Sequence, residues 1–171
     1  MAPALLVSPT HSFRKASQSR TQLGIQKKIV YSSPAMAQEI IIKPKPWGRE
    51  VWFAHTERYA GKILEVNKGH RLSLQYHEHK METQYIYSGK VKLTYGEKED
   101  QLQEKILESG DKIDVPPFMI HRIEALEDSQ IFEVSSPELD DVVKLADDYG
   151  RSGKGNNETL DQSLHHNNNQ S

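Results

Sequence analysis

The sequence predicts an all-β fold, a small barrel or sandwich, and two features carry that prediction. Apolar residues alternate with polar ones rather than recurring every three or four positions, and glycine-centred turn signals separate the runs at short intervals. The runs are Ile63, Leu64 and Val66, then Val91, Leu93 and Tyr95, then Ile113 and Val115, then Ile131, Phe132 and Val134. Between them stand Asn67-Lys68-Gly69, Ser88-Gly89-Lys90, Tyr95-Gly96-Glu97 and Ser109-Gly110-Asp111. One short C-terminal helix is expected from "SPELDDVVKLADDYG", with Ser136-Pro137 as its start signal and Gly150 as its stop.

The chain has 171 residues, enough for one compact domain with additional tail against a prior of about 150 per domain. Residues 39–151 are assigned to that domain. Residues 1–38 hold Arg14, Lys15, Arg20, Lys27 and Lys28 and no acid, so the leader stands at +5 and the rest at -7. An acid-free leader rich in Ser, Thr and Arg reads either as an organelle transit peptide or as sequence upstream of a true start at Met36, and no packed structure is expected there. The first reading implies a plastid or other organelle, the second the cytoplasm. Residues 152–171 are polar and Asn-rich and are expected to be a disordered tail.

Composition excludes several classes. No apolar run approaches the ~18 residues of a membrane helix, so no membrane partner is expected. The body is acidic and its basic residues do not cluster, so nucleic acid is not an expected partner either. With no cysteine, any metal must be held by histidine, carboxylate or amide groups.

The stretch "LSLQYHEHKME" over 72–82 concentrates such groups. Strand alternation puts Arg71, Ser73, Gln75 and His77 on one face and Leu72, Leu74 and Tyr76 on the other. If the polar face lines a cavity, the apolar face needs cover, and a strand-to-strand homodimer is an economical one.

From Gly69, five residues lead to Gln75, one more to His77, four to Glu82 and six to Gly89. Later, five residues separate Gly110 from Pro116, one separates Pro116 from Phe118, and two separate Phe118 from His121. These spacings resemble the two signature motifs of the cupin superfamily, G-x5-H-x-H-x3 or 4-E-x6-G and G-x5-P-x-G-x2-H-x3-N. The sequence departs at three identities: Gln75 replaces the first motif histidine, Phe118 the glycine and Ala125 the final asparagine. The resemblance implies a double-stranded β-helix, the cupin jelly-roll barrel, with one divalent ion held by Gln75, His77, Glu82 and His121. His79 then falls in the turn beyond the ligand pair. Nitrogen and oxygen donors together suit zinc first, with manganese, iron or nickel as alternatives.

"KPWG" at 45–48, "GHRLSLQYHEHKMETQYIYSG" at 69–89, "PPFMIHRIE" at 116–124 and "EVSSPELDDVVKLADDYGR" at 133–151 are similar to the isomerase domain of type II phosphomannose isomerases. In bifunctional members that domain follows a mannose-1-phosphate guanylyltransferase domain; this chain has no glycine-rich phosphate loop, and guanylyl transfer is not expected of it. The family implies interconversion of mannose 6-phosphate and fructose 6-phosphate through an enediolate, in mannose or polysaccharide precursor metabolism. Arg71, with Ser73, is the first candidate for the phosphate, and Lys45 and Arg151 follow. For the general base, His79 and Glu78 stand near the motif, while Glu124 lies on the face opposite His121. His79 is taken as the catalytic candidate. The chain reads Glu82-Thr83-Gln84 where typical members read E-H-W, and Pro116-Pro117-Phe118 where they read P-A-G, so Phe118 is expected to narrow the cavity mouth. Trp47 reads as a core anchor more readily than as a sugar platform. The alternative function is a cupin that binds a sugar phosphate or nucleotide sugar without turnover.

Overall fold

The computed structural model describes residues 39–168; the expected leader over 1–38 lies outside the described residues. In chain order the strands are β1 (Ile41–Lys45), β2 (Gly48–His55), β3 (Ala60–Val66), β4 (Leu74–Tyr76), β5 (Glu82–Ser88) and β6 (Lys90–Gly96). They continue as β7 (Gln103–Glu108), β8 (Lys112–Val115), β9 (Ile120–Ala125), β10 (Ser129–Ser135), β11 (Val143–Ala146) and β12 (Gly153–Lys154), followed by helix α1 (Glu158–Asn168). Two six-stranded sheets result, in the orders β1-β2-β3-β10-β5-β8 and β12-β11-β4-β9-β6-β7. The interleaving of early and late strands within each sheet is the jelly-roll arrangement, and the four apolar runs of the sequence lie in β3, β6, β8 and β10. Gly89 turns β5 into β6 at φ +86, where a Cβ would stand 2.4 Å from Ser129 Oγ and 2.5 Å from the Asp128 carbonyl oxygen. Only glycine fits that approach.

The core lies between the sheets and is layered by register. Leu64, Ile131 and Ile86 sit side by side across β3, β10 and β5, all fully buried, and face Val91, Leu93 and Ile123 in the same cluster. Burial of each such side chain contributes about 1.5–3 kcal/mol. One pleat further along, the same three strands present Lys62, Glu133 and Gln84 inward. One more brings Ala60, Ser135 and Glu82. A dry layer thus gives way to a polar one, and the cavity begins there.

Three expectations are corrected. Residues 136–150 form turns followed by β11, not a helix: Val143 pairs with Tyr76 and Lys144 with Gln75. The β-branched Val142-Val143 pair favours extended backbone, and the Asp141 carboxylate accepts from the N–H groups of Glu78, His79 and Lys80. The C-terminal helix exists, but over Glu158–Asn168, inside the segment expected to be a disordered tail. Asn157 caps it, its Oδ1 accepting from the Leu160 N–H at 3.1 Å. The helix is tied to β1 by Asp161 on Lys45 and by His165, whose Nδ1 lies 2.8 Å from the Lys45 carbonyl oxygen.

The third correction concerns strand alternation from Arg71 to Gln75. Arg71 bridges to Glu124, and Gln75 pairs with His121. Four steps on one strand therefore oppose three on the other. That extra residue reverses the facing of everything before it. Gln75 points inward while Arg71 points out, and Leu72 packs on the core instead of waiting for a partner. No described helix is long and apolar enough to cross a membrane.

Candidate functional site

The site forms where the polar layers of the two sheets face each other. One sheet sets Lys144, Gln75 and His121 side by side on β11, β4 and β9. The other sets Glu82 at the start of β5, with Gln84 two residues on. His77 follows β4 directly and is 2% exposed, as is Glu82; His121 is 3% exposed.

His77, Glu82 and His121 offer ligand atoms that all lie within 4.8 Å of one another. His121 Nε2 stands 3.3 Å from Glu82 Oε1, and His77 Nε2 stands 3.7 Å from Glu82 Oε2. The other nitrogen of each ring is used: Nδ1 of His77 donates to the Asp141 carbonyl oxygen, and Nδ1 of His121 to that of Met119 at 3.0 Å. Those bonds fix the tautomer and turn both Nε2 lone pairs inward. Neither Nε2 has a hydrogen-bond partner despite full burial, a costly arrangement for two polar atoms unless something binds them. Burial, then the neighbouring Lys80 ammonium, depresses His77 to about 4, so the ring is neutral at pH 7 and free to ligate. Burial alone would raise Glu82, but Lys80 and then His121 hold it well below the usual carboxylate range. Two inward-facing imidazole nitrogens and one carboxylate at these separations fit a divalent ion. Gln75 stands next to this set: it pairs with His121 and lines the same cavity as His77. Ser73 Oγ donates to Gln75 Oε1 at 2.6 Å, which orients the amide and leaves that oxygen a second lone pair.

Beside this cluster lies a cavity of about 60 Å³, lined in part by Lys45, Lys62, Lys80, Lys144 and Arg151. Its charges form a continuous alternating series. Lys80 contacts both Glu82 and, at 3.0 Å, Glu133, which also binds Lys62 at 3.0 Å. Glu50 lies 3.9 Å from Lys62 and 3.8 Å from Lys45. Asp161 of α1 then holds Lys45 at 2.7 Å and Arg151 at 2.9 Å, and Arg151 also binds Asp147 at 2.7 Å. Burial works against ionisation of Glu50, yet Lys62 and Lys45 bring it down to about 2.

Of the residues singled out from sequence, Ser73, Gln75, His77, Lys45 and Arg151 all line this cavity. Arg71 does not: its guanidinium is about two-fifths exposed and forms a two-bond pair with Asp148, the consequence of the extra residue before Gln75. His79 is exposed, lies outside the cavity lining, and is held through its N–H by Asp141. Phe118 is 63% exposed at φ 66, stacked on Tyr76 beside a separate surface pocket, and does not narrow the buried cavity. Its left-handed backbone explains why the motif carries glycine at that place. Trp47 is a core anchor, 3% exposed. Lys62, Lys80, Gln84, Glu133 and Lys144 were missed. Three of them were legible: Lys62, Gln84 and Glu133 stand two residues from the inward Leu64, Ile86 and Ile131, so strand period alone sends them inside.

Residues 36–147 match the family described as mannose-6-phosphate isomerase C-terminal. Among curated relatives, a mannose-1-phosphate guanylyltransferase of Escherichia coli K12 is 31% identical over 112 residues, 63% of this chain and 22% of that protein. A mannose-1-phosphate guanylyltransferase 2 of Escherichia coli O157:H7 is 27% identical over 151 residues, 85% of this chain and 29% of that protein. The chain thus spans about a quarter of the length of the curated relatives it matches. Among solved structures, oxalate decarboxylase from Bacillus subtilis superposes with a TM-score of 0.55 at 17% identity over 63% of this chain and 30% of that one. An RmlC-like cupin from Shewanella frigidimarina superposes at 0.50 with 16% identity, over 58% and 85% of the respective chains. These likenesses show the cupin fold.

Proposed function

The chain belongs to the mannose-6-phosphate isomerase C-terminal family, and from that membership we propose that it is a metal-dependent sugar-phosphate isomerase interconverting mannose 6-phosphate and fructose 6-phosphate. The observation that carries this reading is the pair of buried, unpartnered imidazole nitrogens that flank Glu82. His77, Glu82 and His121, with Gln75, would hold a divalent ion, zinc first and manganese, iron or nickel as alternatives. When bound, such an ion polarises the substrate carbonyl and stabilises the charge that develops on its oxygen. The protein's own groups supply the rest. Glu133 lines the cavity beside Gln84, with Lys80 beside it at 3.0 Å, and would carry the proton between C1 and C2. Lys80 is held firmly in its charged form: burial opposes this, but Glu133 and Glu82 together raise its pKa. For the phosphate the cavity offers a cationic lining that includes Lys45, Lys144 and Arg151.

We assign residues 39–151 and helix α1 to this one functional unit, and a second copy of the chain to the uncovered outer face of the β5 sheet, where Phe53, Tyr85, Tyr87 and Val134 are exposed. A second reading, binding without turnover, is favoured by Thr83 and Gln84, which stand directly after Glu82 where typical members of the family carry His and Trp. Metal analysis followed by a coupled isomerase assay with each ion separates the two. Turnover with at least one ion, abolished in His77→Ala, supports the isomerase. Stabilisation by mannose 6-phosphate with no conversion under any ion would leave only the binding protein.

A further inference from the structure

Five cations line the cavity, and four of them are already neutralised: Lys45 by Asp161, Lys62 by Glu133, Lys80 by Glu82 and Glu133, Arg151 by Asp147 and Asp161. Lys144 is different. It is 8% exposed, and no carboxylate lies within ion-pair distance of it among the described residues. Its ammonium donates only to neutral oxygens, the Gly155 carbonyl and, at 3.4 Å, Asn156 Oδ1. Burying an ammonium with no counter-ion is unfavourable unless an anion arrives to share the site. Its position is equally telling, because register sets Lys144 next to Gln75, which is next to His121. Adjacent strands lie about 4.8 Å apart. Lys144 therefore stands roughly two strand spacings from His121 and shares its cavity with His77 and with Arg151, whose own charge is spent on two aspartates.

We infer that Lys144 is the anchor for the phosphate group of the substrate, supplying a cavity charge that no described carboxylate pairs with directly, while Lys45 and Arg151 act chiefly to hold α1 in place. This rests on the sugar-phosphate reading given above. Lys144 and His77 line the same cavity, so an anion held at Lys144 directs the rest of the substrate toward His77. Loss of one charge-assisted contact of this kind weakens binding by about tenfold to a hundredfold.

The test is calorimetric titration of the full-length zinc-loaded protein with mannose 6-phosphate, inorganic phosphate and mannose. Lys144→Met and Lys144→Gln should bind mannose 6-phosphate and phosphate at least about tenfold more weakly than wild type. Lys144→Arg should retain binding, and Lys154→Met, at an exposed lysine outside the cavity, should match wild type. Unchanged zinc content and melting temperature establish that the variants are folded; two neutral replacements of different polarity guard against failure of either. Equal affinity in wild type and both neutral variants overturns the role of Lys144 and leaves the isomerase reading standing. Failure of wild-type protein to bind either phosphate compound overturns both.

Discussion

Lys80→Met separates the electrostatics of the His77, Glu82 and His121 cluster from the metal coordination proposed for it. The Lys80 ammonium is 3% exposed and touches two carboxylates, Glu82 and Glu133, that are themselves 2% and 3% exposed. Removing it does not strand both. Glu133 keeps Lys62 at 3.0 Å, so the uncompensated charge is that of Glu82, which retains the neutral Gln84 amide at 2.8 Å and the two imidazoles. Removal of one partner from a buried pair costs about 3–5 kcal/mol, and a single stranded carboxylate puts this variant in that range rather than at twice it. A divalent ion on Glu82 replaces the missing charge. In urea denaturation with chelator present, Lys80→Met should therefore lose about 3–5 kcal/mol relative to wild type. With excess zinc most of the gap should close, and zinc should bind the variant more tightly because no ammonium competes for the carboxylate. An equal deficit with and without zinc would refute the assignment of Glu82 as a ligand.

The pH response of the metal-free protein follows from His77. Its folded value of about 4 lies below the ~6.5 of an unfolded histidine, so the unfolded chain binds the proton more readily. Stability from this group is full above about pH 6.5, falls as the pH drops toward 4, and amounts to about 3 kcal/mol. Denaturation of wild type and His77→Leu at pH 7 and 4.5 should show that loss in wild type only; parallel profiles would count against it. Asp161→Asn should cost about 3 kcal/mol, since Lys45 is left with only Glu50 at 3.8 Å, and should expose the chain after Arg151 to limited proteolysis; an intact, equally stable variant would show that α1 is not held there. Phe118→Gly should change stability by less than about 1 kcal/mol, because relief of the left-handed backbone offsets the added freedom of the unfolded chain; a larger loss in thermal denaturation would mean that the ring packs on Tyr76 more strongly than its exposure indicates.

Much of this arrangement was legible in sequence. Glycine-to-glycine counting placed the ligand set on Gln75 rather than His79, and the structure turns Gln75 inward opposite His121 while leaving His79 exposed. Arg71 was misplaced because alternation was extended through a bulge, and a bulge depends on the partner strand, which the local sequence does not carry. The helix was misplaced for a related reason. In "SPELDDVVKLADDYG" the acidic and apolar residues satisfy a helical pattern, but the open edge of β4 offers Val143 and Lys144 a strand to pair with, a tertiary gain that outweighs weak propensity. The polar segment beyond it carried real signals that composition obscured: Asn157 as a cap, Leu160 and Leu164 four apart, acids in the first turn and His165 and His166 in the last. Lys144 was out of reach altogether, since its burial follows from strand pairing that was not foreseen.

The most direct test of the central claim is proton exchange. Protein reconstituted in turn with zinc, manganese, iron and nickel, incubated with mannose 6-phosphate in deuterated water and followed by NMR, should form fructose 6-phosphate with solvent deuterium entering at C1. The conversion should require the ion and be absent in His77→Ala. Neither conversion nor exchange with any of the four ions, in protein shown to hold one ion per chain, would contradict it.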